Sequence, residues 1–183
     1  MSVTDWKPAG TTANVDRDGK DAWGNTDNVK TDDTDFSIVL IAKGVTYSDW
    51  LRLTNFFTTG DIPAGATING IEVQYKRLAS VASWVNDSML KLRKTSGQVG
   101  DNKASATPWA VSKETVTYPA TGGETDTWNS GLTAADLVDS GFGIDLSALN
   151  NDTENIRSAT IYFCQIRVYY TALVTFQPWA IIM

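Results

Sequence analysis

The chain has 183 residues, 42% of them hydrophobic and 20% charged, and carries a net charge of −6. That size and composition fit one globular domain, large enough to fold without disulfides or a structural metal. The acidic balance argues against nucleic acid as a partner, because neutralising phosphates takes clustered Lys and Arg.

In chain order, residues 1–34 are rich in Thr, Asp, Asn and Gly with little period-2 alternation, and read as an N-terminal arm or long loop. From Phe36 the chain turns into short strands. Phe36–Lys43 (FSIVLIAK) is a near-continuous apolar run that predicts a strand covered on both faces. Trp50–Phe56 alternates, with Leu51 and Leu53 on one face and Arg52 and Thr54 on the other. Gly60–Thr67 (GDIPAGAT) is a turn built on Pro63 and Gly65. Ile68–Leu78 places Ile71, Val73 and Tyr75 inward, and Ser88–Lys94 does the same with Leu90 and Leu92. Thr133 through Leu137 predicts one helical turn, with Thr133 as N-cap and Asp136 three residues on. Phe142–Leu146 is a short strand, and Ala159–Thr171 (ATIYFCQIRVYYT) is the longest, with Tyr162, Cys164, Ile166 and Val168 inward and Gln165 and Arg167 outward. Seven or eight strands with hardly any helix predict an antiparallel β-sandwich of jelly-roll type over residues 35–171, between the arm (1–34) and a hydrophobic tail (172–183).

The chemistry available is narrow. Histidine is absent, which removes the commonest general base and metal ligand, so serine triads and zinc-hydrolase motifs are not formed. Cys164 is the only thiol and sits on an apolar strand face, where a small buried cysteine is inert. It gives neither a disulfide framework nor a cysteine zinc site. Carboxylates are plentiful but lie in loops and on polar faces. No enzyme activity is expected. Asp16, Asp18 and Asp21 resemble half of a calcium loop, but Gly19 and Lys20 stand where that loop wants other residues; they are the candidate calcium ligands, and no other cofactor is expected. The opening MSVTDWKPAG lacks the blocks of a secretory signal and no run reaches the ~20 apolar residues of a bilayer span, so synthesis in a cytoplasm and no membrane partner are expected.

Two features point to contact. Seven tryptophans are many for this length, and Trp84, Trp109 and Trp128 fall in Ser/Thr/Gly-rich connections, where they either cap the sandwich or stack on a sugar. The tail ALVTFQPWAIIM ends the chain with Leu173, Val174, Phe176, Trp179, Ile181, Ile182 and Met183. Left open it is an aggregation hazard, so it is expected to be covered by its own domain or, as an assembly strap, by a neighbouring chain.

The strings WLRLTNF and IPAGATINGIEVQYKR (Trp50–Phe56, Ile62–Arg77), VNDSMLKLRKTSGQVGDNKAS (Val85–Ser105), TWNSGLTAADLVDSGFGIDL (Thr127–Leu146) and IRVYYT (Ile166–Thr171) resemble a module of bacteriophage virion proteins, covering roughly residues 23–171. More distantly, the LRL…IPAGATI pattern is similar to jelly-roll carbohydrate-binding domains. The resemblance implies a virion structural protein made in the host cytoplasm: a capsid decoration or cement protein that binds the major capsid protein and its own copies as a homo-oligomer, with a trimer allowed. A tail, baseplate or fibre component, or a glycan-binding module, is the alternative. The resemblance marks no site, because the shared residues are turn and core positions.

Overall fold

The computed structural model describes residues 1–173. Its strands are β1 (Ser2–Val3), β2 (Lys7–Pro8), β3 (Thr11–Val15), β4 (Ser37–Ile41), β5 (Thr46–Tyr47), β6 (Trp50–Thr54), β7 (Thr67–Ala79), β8 (Val85–Lys94), β9 (Gly97–Val99), β10 (Glu114–Tyr118), β11 (Gly143–Asn150) and β12 (Arg157–Thr171). They form two antiparallel six-stranded sheets. In the first the order is β1-β12-β7-β10, with β2 and β4 also paired to β12; in the second it is β3-β6-β11-β8-β9, with β5 on β11. The chain is a jelly-roll-like β-sandwich.

The alternation in sequence accounts for the core. Leu51 and Leu53 of β6, Ile71, Val73 and Tyr75 of β7, Leu90 and Leu92 of β8, Ile144 and Leu146 of β11, and Ile166 and Val168 of β12 are all withdrawn from water. Each such side chain contributes roughly 1.5–3 kcal/mol from transfer alone. The helical turn α1 (Ala134–Leu137) starts as its sequence predicts: the Thr133 hydroxyl accepts from the Asp136 amide, and the Asp136 carboxylate accepts from the Thr133 amide. The Thr133 amide and hydroxyl both donate to the Asp136 carboxylate and, with Lys94 nearby, hold its pKa below the ordinary value.

Four expectations are corrected. Residues 1–34 are not a free arm, because β1 and β2 pair with β12 and β3 pairs with β6, so the segment contributes to both sheets. The near-continuous apolar run shortens to β4, which alternates and leaves Leu40 exposed, since only one face of that edge strand meets the core. Tyr162 does not face inward. A bulge between Ile161 and Phe163 inserts an extra residue, so Ile161 and Cys164 both point to the core, while Tyr162 meets Phe36 edge-on at 5.6 Å and carries the Lys113 ammonium 3.7 Å from its ring centre. The strands also outnumber the seven or eight expected, because several are two- and three-residue edge pieces.

Past the bulge the register is the expected one. Cys164 is buried beside Tyr75, and burial pushes its thiol pKa well above the ordinary value. The native protein is therefore expected to resist maleimide at pH 7–8 and to react at once in denaturant. Rapid labelling of the native chain would place Cys164 outside the core.

Candidate functional site

Strand directions bring four loops to one end of the sandwich: 42–45 after β4, 80–84 after β7, 106–113 before β10, and 151–156 between β11 and β12. Each is a turn-rich stretch with one or two large apolar residues. In the fold these residues assemble. Leu40, Val45, Val81, Trp84, Val111 and Ile156 are all exposed, and together they make up most of the exposed large hydrophobics among the described residues. Large apolar side chains left in water around one end of a domain make that end a candidate contact site.

The loops are held together by their own backbones. Amides of Gly44, Ser80 and Asn151 donate to the carbonyls of Asp152 (3.0 Å), Ser158 (3.1 Å) and Trp84 (2.8 Å), and Ala79 donates to Ala110 (2.8 Å). Asn150 is buried and its amide nitrogen donates to the carbonyls of Ile41, Ala42 and Asn155. Asp152 accepts from the Glu154 and Asn155 amides and pairs with Arg157. The Glu154 amide above all keeps the Asp152 carboxyl below its ordinary pKa. These bonds fix the loops from behind, although Arg157 Nε is buried without a hydrogen-bond partner, and the end presents Lys43 and Glu154 to water beside its apolar side chains.

Beneath the loop end lies a buried polar knot. Asp87 Oδ1 accepts from Tyr75 Oη (2.8 Å), Trp109 Nε1 (2.9 Å) and Arg77 (3.0 Å), and its Oδ2 accepts from Tyr118 Oη (2.6 Å) and the Ser105 amide (3.0 Å). Arg77 also donates to Glu114 at 2.8 Å. Burial, and then the Asp87 charge, pushes Tyr118 up to about 12 and Tyr75 well above its ordinary value. Burial alone would lower Arg77, but Asp87 and the two tyrosines outweigh it and hold its pKa up. The knot ties β7, β8 and β10 to the loop that carries Trp109 and Val111.

This geometry sorts the tryptophans. Trp84 is 39% exposed at the loop end, but Trp109 and Trp128 are 1% and 0% exposed. Their N–H groups are spent on Asp87 and on the Ile71 carbonyl (2.9 Å), so neither is available to stack on a sugar, and the glycan role is withdrawn for both. The calcium candidates do not converge either. Asp16 accepts from the Gly19 amide in a local turn, Asp21 accepts from the Ala42 amide, and Asp18 is exposed; no group of three metal-ligating side chains occurs among the described residues. Leu173 is exposed at the opposite end, while Val174, Phe176, Trp179, Ile181, Ile182 and Met183 lie outside the described residues.

The outer sheet faces carry two polar clusters. On the first sheet, Gln165 donates to Gln74 (2.6 Å) and Gln74 to Thr117 (3.1 Å), forming an amide row across β12, β7 and β10. Beside it Arg167 pairs with Glu72 and lies over the rings of Trp6 (4.6 Å) and Tyr169 (5.3 Å). On the second sheet, Arg52 holds Asp145 with two bonds of 2.8 and 3.1 Å, and Gln98 adds a third at 2.9 Å. Arg17 covers the rest of that face, stacked between Tyr47 (3.8 Å) and Trp50 (4.2 Å) and donating to Ser147 at 2.8 Å. That face is occupied by its own side chains.

No protein-family model matches the chain, and no curated protein matches it. Solved structures do. A structure described as "CBM4 structure and function" aligns with a TM-score of 0.42 at 13% identity, over 89% of this chain and 94% of that one. The family 30 carbohydrate-binding module of a cellulosomal cellulase from Clostridium thermocellum aligns with a TM-score of 0.42 at 9% identity, over 90% and 92%. The N-terminal cellulose-binding domain of Cellulomonas fimi β-1,4-glucanase C aligns with a TM-score of 0.31 at 14% identity, over 93% and 90%. These likenesses concern the β-sandwich fold.

Proposed function

We propose that this chain is a non-catalytic structural protein of a bacteriophage virion, a capsid decoration protein that attaches through its apolar loop end. The observation that carries the reading is the gathering of Leu40 at the end of β4 with Val45, Val81, Trp84, Val111 and Ile156 on loops fixed from behind by hydrogen bonds. A preformed apolar patch ordered before contact loses little entropy on docking, and a Trp among aliphatics is the composition of an interface centre. The partner is an apolar protein surface on the particle, the major capsid protein first, with further copies of the chain as neighbours in a homo-oligomer. The segments that resemble virion modules lie on β6–β9, α1, β11 and the last part of β12. Purified chain is expected to co-sediment saturably with particles from a phage deleted for its gene. Failure to sediment with such particles, under conditions where the chain is folded, removes the decoration role.

A second reading, glycan binding, has its own support in the amide row Gln165–Gln74–Thr117 beside Trp6 and Tyr169, since amides pair with sugar hydroxyls and ring faces with sugar C–H groups. Retention on insoluble polysaccharides that is lost in Gln74→Ala and Trp6→Ala, and kept in loop-end variants, favours it over attachment.

A further inference from the structure

Strand β10 is the last of the first sheet: β7 pairs along one side of it, and no strand pairs along the other among the described residues. Its outer edge therefore presents alternate N–H and C=O groups without a strand partner. A cleft of about 380 Å3 runs beside β10, lined by Ser105 and Thr107, by Val116 and Thr117 of the strand, and by Arg77 and Glu114.

Arg77 is only 2% exposed, yet its donors are not all spent. Its Nε donates to Glu114 Oε1 (2.8 Å), and its Nη1 donates to Asp87 Oδ1 (3.0 Å) and Tyr118 Oη (3.1 Å). Nη2 makes no hydrogen bond among the described residues. Glu114 is the matching acceptor. Its Oε1 accepts from Arg77 and from the Ala110 amide (3.1 Å), its Oε2 accepts from no described residue, and its side chain is 31% exposed. A buried charged group with a donor left over gains from any acceptor that reaches it. The sign of the local charge selects which acceptor. Asp87 and Glu114 carry two negative charges against the one positive charge of Arg77, so a further anion is repelled. A neutral group that accepts at Nη2 and donates to Oε2 is not, and a carboxamide does both.

We propose that this cleft binds an extended, uncharged segment of a partner protein, which adds to the free edge of β10 as a strand and places an Asn or Gln carboxamide against Arg77 Nη2 and Glu114 Oε2. In strand addition the main-chain bonds supply affinity and the side-chain pocket supplies specificity, and here edge and pocket are contiguous. A sugar fits the cleft less well. Its C–H face needs an open aromatic ring, and the rings nearby are covered: Tyr118 is 8% exposed and Trp109 1%. The inference does not depend on the attachment reading, and its test uses no particles.

The test is an NMR titration of the 15N-labelled full chain with the peptides Ac-TTXTT-NH2, where X is Gln, Glu, Lys or Ala and the length is that of β10. The Gln peptide is expected to shift the amides of residues 105–107 and 114–120 saturably in the millimolar range, with the Arg77 guanidinium signals moving alongside. It is expected to bind ~10-fold more tightly than the other three. Thr107→Tyr, a change at an exposed position, obstructs the cleft and is expected to abolish the shifts without moving the urea midpoint. Glu114→Gln keeps an acceptor for Arg77 Nε but removes the surplus charge, so the Glu peptide is expected to equal or overtake the Gln peptide there. Absence of a saturable shift at these residues overturns the proposal, as does equal binding of the four peptides or an unchanged preference in Glu114→Gln. A stronger response of the same amides to cellohexaose or maltohexaose also overturns it and gives the cleft to a sugar.

Discussion

Asp87→Ala is expected to lower the unfolding free energy by about 3–5 kcal/mol, the range for removing one partner of a buried ion pair. The carboxylate receives five donors, and its loss leaves Arg77, whose side chain is only 3% exposed, with Glu114 as its remaining carboxylate. Two tyrosine hydroxyls and the Trp109 N–H lose their acceptor at the same time. The penalty is the desolvation of groups left unpaired, which exceeds the net worth of the bonds themselves. Replacing Arg77 and Asp87 together with Met and Leu is expected to recover part of the loss, because it removes the charge as well as its partner. Urea denaturation of the three variants measures both effects. A loss below ~1 kcal/mol for Asp87→Ala would mean that water reaches the knot. Since the knot anchors the Trp109–Val111 loop, Asp87→Ala is also expected to raise amide exchange there before global unfolding.

The second large effect concerns binding. Val111→Asp/Ile156→Asp is expected to weaken attachment to particles by 100-fold or more while moving stability by no more than ~0.5 kcal/mol per site, the usual range for exposed positions. Both side chains are more than half exposed (55% and 61%), so the free protein has little to lose. A carboxylate carried into a desolvated apolar interface, in contrast, has no partner, and truncating or charging an interface centre costs on the order of 2–4 kcal/mol per residue. Lys7→Ala and Lys30→Ala, whose ion pairs with Asp61 and Asp27 are no part of the loop end, should bind as the parent does. Equal binding by the double variant and the parent, measured with particles lacking the chain, would remove the loop end from the attachment surface.

The framework was legible where period-2 alternation is strong. Leu51/Leu53, Ile71/Val73/Tyr75, Leu90/Leu92 and Ile166/Val168 each mark a core face by spacing, and Thr133 with Asp136 marks the helical turn by its cap chemistry. The N-terminal strands were not legible. Lys7–Pro8 and Thr11–Val15 carry no large alternating apolar residues, and become strands because the edges of β12 and β6 supply their hydrogen bonds. The bulge at Tyr162 leaves no trace in composition, which is why an alternation that holds from Cys164 onward fails two residues earlier. Trp109 and Trp128 look like surface aromatics in polar loops, yet the loops fold inward because Asp87 and the Ile71 carbonyl accept their N–H groups. The loop end was invisible for a simpler reason. Its apolar residues fall in four separate stretches of the sequence, and only antiparallel pairing of β4, β7, β10 and β12 brings them to one end.

The most direct test of the attachment reading is an image reconstruction of the particle with and without this chain, at a resolution that fits the sandwich. The expected difference density sits on the outer capsid surface with loops 42–45, 80–84, 106–113 and 151–156 against it, and Ser2 and Leu173 directed away. Density with the orientation reversed, or none on the particle at all, contradicts it.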